Sequence, residues 1–244
     1  MNIRHGTIKL LKQNRGETSS DINNTKVFLG QSLKEIITNF KEGDKITEEN
    51  SHREYENLSF QIVDSGTCGD NLTWTLYEDG TLVISGTGDM YDYGILGGPW
   101  CEEYKSELKK LVLTEGVTTI GLGAFYECSE LSGNLIIPEG VTAIGKHAFY
   151  NCSGFDGDLV IPEGVTTIGN FAFTNCSGFD GNLVIPESVT TIGMNAFFKC
   201  SGFTGNLVIP KGVKTIEDNT FYLCSGFDGN LVIPEGVTAI GDYA

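Results

Sequence analysis

The stretch CSGFDGNLVIPEG, Cys224–Gly236, decides how this chain is read. Near-copies begin at Cys152 and Cys176, each carrying the same Gly-Phe-x-Gly and Leu-x-Ile-Pro. A cysteine that returns in fixed company has three explanations. It belongs to a disulfide framework, to a row of metal ligands, or to one coil of a repeating core.

The interval separates them. Cys128, Cys152, Cys176, Cys200 and Cys224 are spaced 24 residues apart, and the register extends far beyond the thiols. Leu135, Leu159, Leu183, Leu207 and Leu231 share one position, and Ile137 to Ile233 another. Pro138, Pro162, Pro186, Pro210 and Pro234 follow, then Val141 to Val237, Ile144 to Ile240, and Phe149, Phe173, Phe197 and Phe221. An earlier unit starts at Leu111 and has Thr114 where the others have proline. Such periodicity is the signature of a solenoid. Each unit reads as a short strand (Leu-x-Ile), a Pro-x-Gly turn, a second extended piece (Val-Thr-x-Ile) and a helical turn around Ala-Phe. One unit buries too little apolar surface to offset the entropy of ordering its backbone, so stability requires stacked neighbours.

In a stacked ladder, equivalent residues lie about 4.8 Å apart with parallel Cβ vectors, whereas a disulfide needs converging Cβ atoms about 3.8 Å apart. The five ladder cysteines are therefore expected to be free, buried and apolar in character. Cys68 and Cys101 fall outside the ladder, and a bridge between them in the cap stays open. Metal binding calls for clustered ligands such as Cys-x₂-Cys or interleaved histidine, a pattern missing from the sequence, so no metal or cofactor is expected.

Ahead of the repeats, Leu72, Trp74 and Leu76 alternate, Asp79-Gly80 supplies a turn, and Leu82 and Ile84 resume the alternation. This predicts a β-hairpin capping the first coil, with Trp100 packed nearby. The chain is expected to fall into three regions: residues 1–60, an N-terminal segment with a short helix through Val27, Phe28, Leu33, Ile36, Ile37 and Phe40 and a disordered linker; residues 61–108, the capping region; and residues 109–244, the solenoid. Ala244 aligns with Ala148, Ala172 and Ala196, so the last coil is expected to be truncated.

The formal net charge is −16. Residues 1–60 hold nine basic and nine acidic side chains, so the whole excess belongs to residues 61–244. A surface this acidic repels nucleic-acid phosphates and anionic membranes. No stretch approaches the roughly 20 apolar residues of a membrane helix, and the N-terminus shows no apolar run of a secretory signal.

The segment LVIPEGVTTIGNFAFTNCSGF, Leu159–Phe179, resembles the BspA-like bacterial leucine-rich repeats, loosely L-x-I-P-x-x-V-x-x-I-G-x-x-A-F-x-x-C. The preceding GTCGDNLTWTL, DGTLVISGTGDMYDY and PW also look like the segment that often leads such arrays. The resemblance covers roughly residues 64–244. It implies a right-handed leucine-rich-repeat β-solenoid with short helical turns and an N-terminal hairpin cap. It also implies a secreted or surface-anchored bacterial protein, with host association, adhesion and binding of extracellular-matrix proteins known in the family.

Catalysis finds little support in the residues. The histidines are His5, His52 and His147, and no Ser, Asp or Lys is set off as nucleophile or base. His147 shares its position with Gly123, Phe171, Asn195 and Asn219, which reads as a tolerant surface site. Asp156 and Asp158 read as turn residues, since calcium needs six to eight oxygens.

Two stripes are candidate binding surfaces. After the core phenylalanine come Tyr126, Tyr150, Thr174, Phe198 and Tyr222, either a contact ridge or covers for neighbouring turns. Between the inward Leu and Ile lie Val112, Ile136, Val160, Val184, Val208 and Val232, which strand alternation points outward. That band is a partner groove or a surface packed against another segment. Glu115, Glu139, Glu163, Glu187 and Glu235, interrupted by Lys211, form an acidic edge. The expectation is a non-enzymatic extracellular module that recognises a protein or glycan, host matrix proteins included. A targeting module or structural spacer of a larger cell-surface enzyme is the alternative.

Overall fold

The computed structural model describes residues 61–244. The helix and linker expected within residues 1–60 lie outside the described residues. The chain divides into two compact units, Met1–Ile62 and Val63–Ala244, and the repeats all belong to the second.

The described chain opens with three strands, β1 (Ile62–Thr67), β2 (Leu72–Tyr77) and β3 (Thr81–Gly86). Leu72, Trp74 and Leu76 of β2 are buried while Thr73 is exposed, as the alternation demands. The β2–β3 hairpin turns at Gly80, whose φ of +83 suits glycine and whose N–H donates to the Tyr77 carbonyl at 2.9 Å. Leu76 pairs with Leu82, and Leu72 with Gly86.

A two-residue strand, β4 (Gly88–Asp89), and a short helix, α1 (Pro99–Glu103), come before β5 (Lys110–Leu113) and β6 (Val117–Ile120), which begin the first repeat. Here β3 pairs in parallel with β5, setting Leu82 against Leu111 and Ile84 against Leu113, and β4 pairs with β6. The cap is thus an altered coil as well as a hairpin. Within it α1 stands where later coils have Ala-Phe, since Trp100 and Cys101 precede Ala124 and Phe125 by 24 residues. Trp100 is fully buried, donates from Nε1 to the Ala124 carbonyl at 3.1 Å, and packs on Trp74, Tyr93 and Phe125.

Beyond the cap the strands of the Leu-x-Ile and Val-Thr-x-Ile segments stack in register with a 24-residue offset. Leu159 faces Leu183, Leu207 faces Leu231, Ile120 faces Ile144, and Ile168 faces Ile192, all in parallel. This is the β-solenoid expected from the repeat. The core is built as columns. Phe125, Phe149, Phe173, Phe197 and Phe221 stack with centroids 5.1 to 5.4 Å apart and planes within 12°. Phe155, Phe179, Phe203 and Phe227 of the Gly-Phe-x-Gly turns form a second column.

The Ala-Phe turns contain little helix, for a backbone reason. Gly123, His147, Phe171, Asn195 and Asn219 all have φ between +55 and +63, and so do Glu127, Asn151, Asn175 and Lys199. These left-handed residues bracket each Ala-Phe. They stop its i→i−3 bonds, such as Tyr126 N–H to the Gly123 carbonyl at 3.0 Å, from propagating. The intervening N–H groups bond to the next coil instead: Gly123 to Lys146, Phe125 to Ala148 and Glu127 to Tyr150. The position of His147 is therefore selected by backbone conformation, and its tolerance is for residues that accept φ > 0. Burial, with Lys146 adding to it, lowers the pKa of the imidazole.

The first unit's Thr114 has a structural cause. Its N–H donates to the Ile84 carbonyl at 3.1 Å, extending the β3–β5 pairing. Proline has no such donor. In later coils the proline ends a strand that needs no further bond and opens a turn closed by Val141 to Pro138 or Val165 to Pro162.

The cysteines require a correction. Cys128 is bridged to Cys101, with Cα atoms 5.8 Å apart, so the ladder holds four free thiols, and Cys68 is a buried free thiol. Spacing along the ladder does forbid bridges between equivalent cysteines, but a diagonal neighbour exists. The thiols of Cys152, Cys176, Cys200 and Cys224 each donate to the carbonyl of the phenylalanine 27 residues earlier, at 2.9 to 3.0 Å. Cys101 occupies that neighbouring position relative to Cys128, in the phenylalanine column. Two sulfurs then meet where later coils have a sulfur and a carbonyl.

Candidate functional site

Four of the five remaining thiols are buried and poor nucleophiles. Burial raises the pKa of Cys152, Cys176 and Cys200, and it pushes Cys68 up to about 12. Among the described residues no group of three or more His, Cys, Asp or Glu is placed to hold a metal ion. No helix among them is long and apolar enough to cross a membrane. The outward faces of the coils carry the two candidate stripes.

The aromatic stripe divides into two groups. Tyr126 and Tyr150 stack face to face, with centroids 4.8 Å apart and planes within 4°, and His147 stacks on Phe171 beside them at 4.8 Å. Thr174 interrupts the row: it is buried, and its hydroxyl donates to the Asn195 carbonyl at 2.6 Å. Phe198 and Tyr222 form the second group, with Lys199 Nζ 5.3 Å from the Phe198 centroid. Rings stacked in this way cover one another's faces. What Tyr126 and Tyr150 present outward is therefore mostly edge and hydroxyl, a narrower surface for a ligand to stack upon.

The aliphatic stripe has a different character. Ile136, Val160, Val184, Val208 and Val232 are 60, 51, 46, 44 and 47 % exposed, while the flanking Leu159, Ile161 and Leu183 are buried. The two-residue strands create this contrast, because parallel in-register stacking places every Val of Leu-Val on one outer line. Toward the cap the line passes through half-buried Val112 to buried Val83, its paired neighbour on β3.

Two rows of polar groups border the line. On one side stand the exposed Glu139, Glu163 and Glu187. Glu187 accepts the Lys211 backbone N–H at 3.0 Å, and Lys211 Nζ lies 4.0 Å from its other oxygen. On the other side stand Asp156, Asp158 and Asp180. Asp180 accepts the Gly157 N–H at 2.9 Å, and Asp158 accepts both the backbone and side-chain N–H of Asn182 at 2.6 and 3.1 Å. Asp158 and Asp180 are held in place by these bonds, while Asp156 is the exposed residue of a two-residue strand, Phe155–Asp156. That second acidic margin went unseen in the sequence, although the spacing of Asp156, Asp180 and Asp228 signals it. A further row, Thr142, Thr166 and Thr190, donates each hydroxyl to the backbone carbonyl one coil earlier at 3.2 to 3.4 Å. Those hydroxyls serve the ladder itself.

Comparison with known proteins agrees with the architecture. The family model for the BspA type leucine rich repeat region matches in six copies over residues 103–225 and 155–244, more than half of the chain. A leucine-rich-repeat protein of T. pallidum (TpLRR) is 25 % identical, with a TM-score of 0.54 over 72 % of this chain and 85 % of its own. One from Eubacterium ventriosum is 27 % identical, with a TM-score of 0.45 over 73 % of this chain and 62 % of its own. No curated protein matches the sequence.

Proposed function

We propose that this chain, which belongs to the family of BspA-type leucine-rich repeats, is a non-catalytic binding and adhesion module of a secreted or cell-surface bacterial protein. The observation that carries the reading is the unbroken line from Ile136 to Val232, 44 to 60 % exposed on every coil. A continuous apolar surface bordered by polar residues is a frequent mark of an interaction site, and each coil repeats the same contact at a fixed interval. Tyr126, Tyr150, Phe198 and Tyr222 extend the candidate surface on the turn side. The Cys101–Cys128 bridge supports placement outside the cytoplasm, because disulfides persist in oxidising compartments.

The test is binding of the full chain to an immobilised panel of extracellular-matrix proteins and to a glycan array. Val160→Ser/Val184→Ser/Val208→Ser and Tyr126→Ala/Tyr150→Ala variants are measured in parallel. Retention of at least one ligand, lost in the valine variant, is the expected result. No binding across the whole panel, or binding indifferent to both sets of substitutions, would reject the repeat surface as the binding site and leave a spacer role.

A further inference from the structure

We propose that the valine line with its two acidic margins is a docking site for a cationic amphipathic α-helix of a partner protein. The inference rests on the binding-module reading and adds the chemical class of the partner to it.

The first argument is charge. Between Lys110 and Lys211, the rows bordering the line carry carboxylates and no cation: Glu139, Glu163 and Glu187 on one side, Asp156, Asp158 and Asp180 on the other. Asp158 and Asp180 accept backbone N–H groups, so their charges stay in place. A partner that covered the valines with a neutral or acidic surface would desolvate these margins uncompensated. Lysine and arginine stems can lie along the apolar edge while their heads reach the carboxylates. A second copy of this chain would set like charges against each other and is disfavoured on the same ground.

The second argument is pitch. Stacked strands repeat every 4.7–4.9 Å, and the core rings repeat every 5.1 to 5.4 Å. An extended chain laid along the line would present same-face side chains only every ~6.6–6.8 Å, and would lose register by ~1.9 Å per coil. A helix with apolar residues at i, i+3, i+4 and i+7 repeats its apolar stripe about every 3.5 residues, or ~5.3 Å, a mismatch of ~0.5 Å that a tilt of ~24° removes. About three helical turns would span the acidic window from Ile136 to Val184 and on to Val208. Apolar anchors at helical spacing, flanked by cations, are therefore the side chains this face fits.

The test uses the full chain and a fluorescent 14-residue peptide of leucine and lysine only, with leucine at i, i+3, i+4, i+7, i+8 and i+11. Two control peptides are an alternating Leu-Lys sequence and the helical pattern with glutamate in place of lysine. The helical cationic peptide is expected to bind and to gain helicity by circular dichroism. Its affinity should fall about tenfold or more with Val160→Ser/Val184→Ser, as for loss of central anchors, and also with Glu139→Gln/Glu163→Gln. Unchanged thermal unfolding of both variants shows that they fold. Equal or tighter binding of the alternating peptide overturns the helical partner. Equal binding of the glutamate peptide overturns the charge argument. Binding that ignores Val160→Ser/Val184→Ser overturns the location. If none of the peptides binds while the matrix panel retains a valine-dependent ligand, this inference fails and the binding-module reading survives.

Discussion

The junction between cap and first coil and the interior of the array solve one packing problem with different chemistry. In the interior, a thiol on each coil donates to the carbonyl of the phenylalanine 27 residues earlier, and the arrangement repeats from Cys152 to Cys224. At the junction the same diagonal contact is the covalent Cys101–Cys128 bridge. Proline undergoes a similar exchange: the interior closes each strand with it, whereas the first coil keeps Thr114 because its N–H is needed by Ile84. The difference follows from translation. A coil stacked on its own copy can reuse one weak bond many times, since the partner atom recurs at the same place. A coil stacked on a hairpin and a helix meets other geometry on one side and needs devices made for that contact.

Substitutions that interrupt translation in the interior should have the largest effect. Phe173→Ala removes the centre of the ring column and should destabilise the chain by about 3–5 kcal/mol, read from the urea midpoint. A loss below about 1 kcal/mol would mean the column is not continuous in solution. Reduction, or Cys101→Ser with Cys128→Ser, opens a 27-residue loop and should cost about 3–4 kcal/mol. The same reductant should leave Cys101→Ser/Cys128→Ser protein unaffected.

Thr114→Pro should cost about 1–3 kcal/mol through the lost bond to Ile84, whereas Pro162→Thr in the interior should change stability by less than about 1 kcal/mol. Equal effects at the two sites would abolish the distinction drawn between them. Cys176→Ala should cost about 1 kcal/mol, and Cys176→Ser, which keeps a donor for Phe149, should cost less. Thiol labelling without reductant should find five reactive cysteines after denaturation: Cys68, Cys152, Cys176, Cys200 and Cys224. Half-buried Cys224 should label first in the native chain. Peptide mapping is essential, since a Cys68–Cys101 bridge would also leave five. The smallest stability effect belongs to the exposed line: Val160→Thr/Val184→Thr should stay within about 0.5 kcal/mol of the parent, so a change in binding there reports contact and not folding.

Much of the fold was legible because the signal is redundant. One misread residue in a 24-residue period leaves dozens of others in register, and the inward Leu, Ile, Val and Phe could be assigned from the repeat register. The Cys101–Cys128 bridge was not legible, because Cys101 shows no repeat signature until α1 is superposed on the Ala-Phe turns. The left-handed backbone at Phe171 was hidden too, since a bulky aromatic residue does not favour φ > 0 by itself. For the candidate site, the valine line could be placed from strand alternation, and its exposure agrees with that placement. The mutual stacking of Tyr126 and Tyr150 could not, because it depends on the distance between adjacent turns.

By itself, the sequence determined the repeat length, the residues that point inward, the solenoid and the acidic character of residues 61–244. All of these follow from periodicity and composition, which need no knowledge of distance. Tertiary structure decided which cysteines meet, why Thr114 replaces a proline, which aromatic faces are covered, and that carboxylates line both sides of the valines. Each of these depends on atoms one coil apart, about 5 Å in space and 24 or 27 residues in sequence, where local pattern gives no direction and only the stacking geometry does.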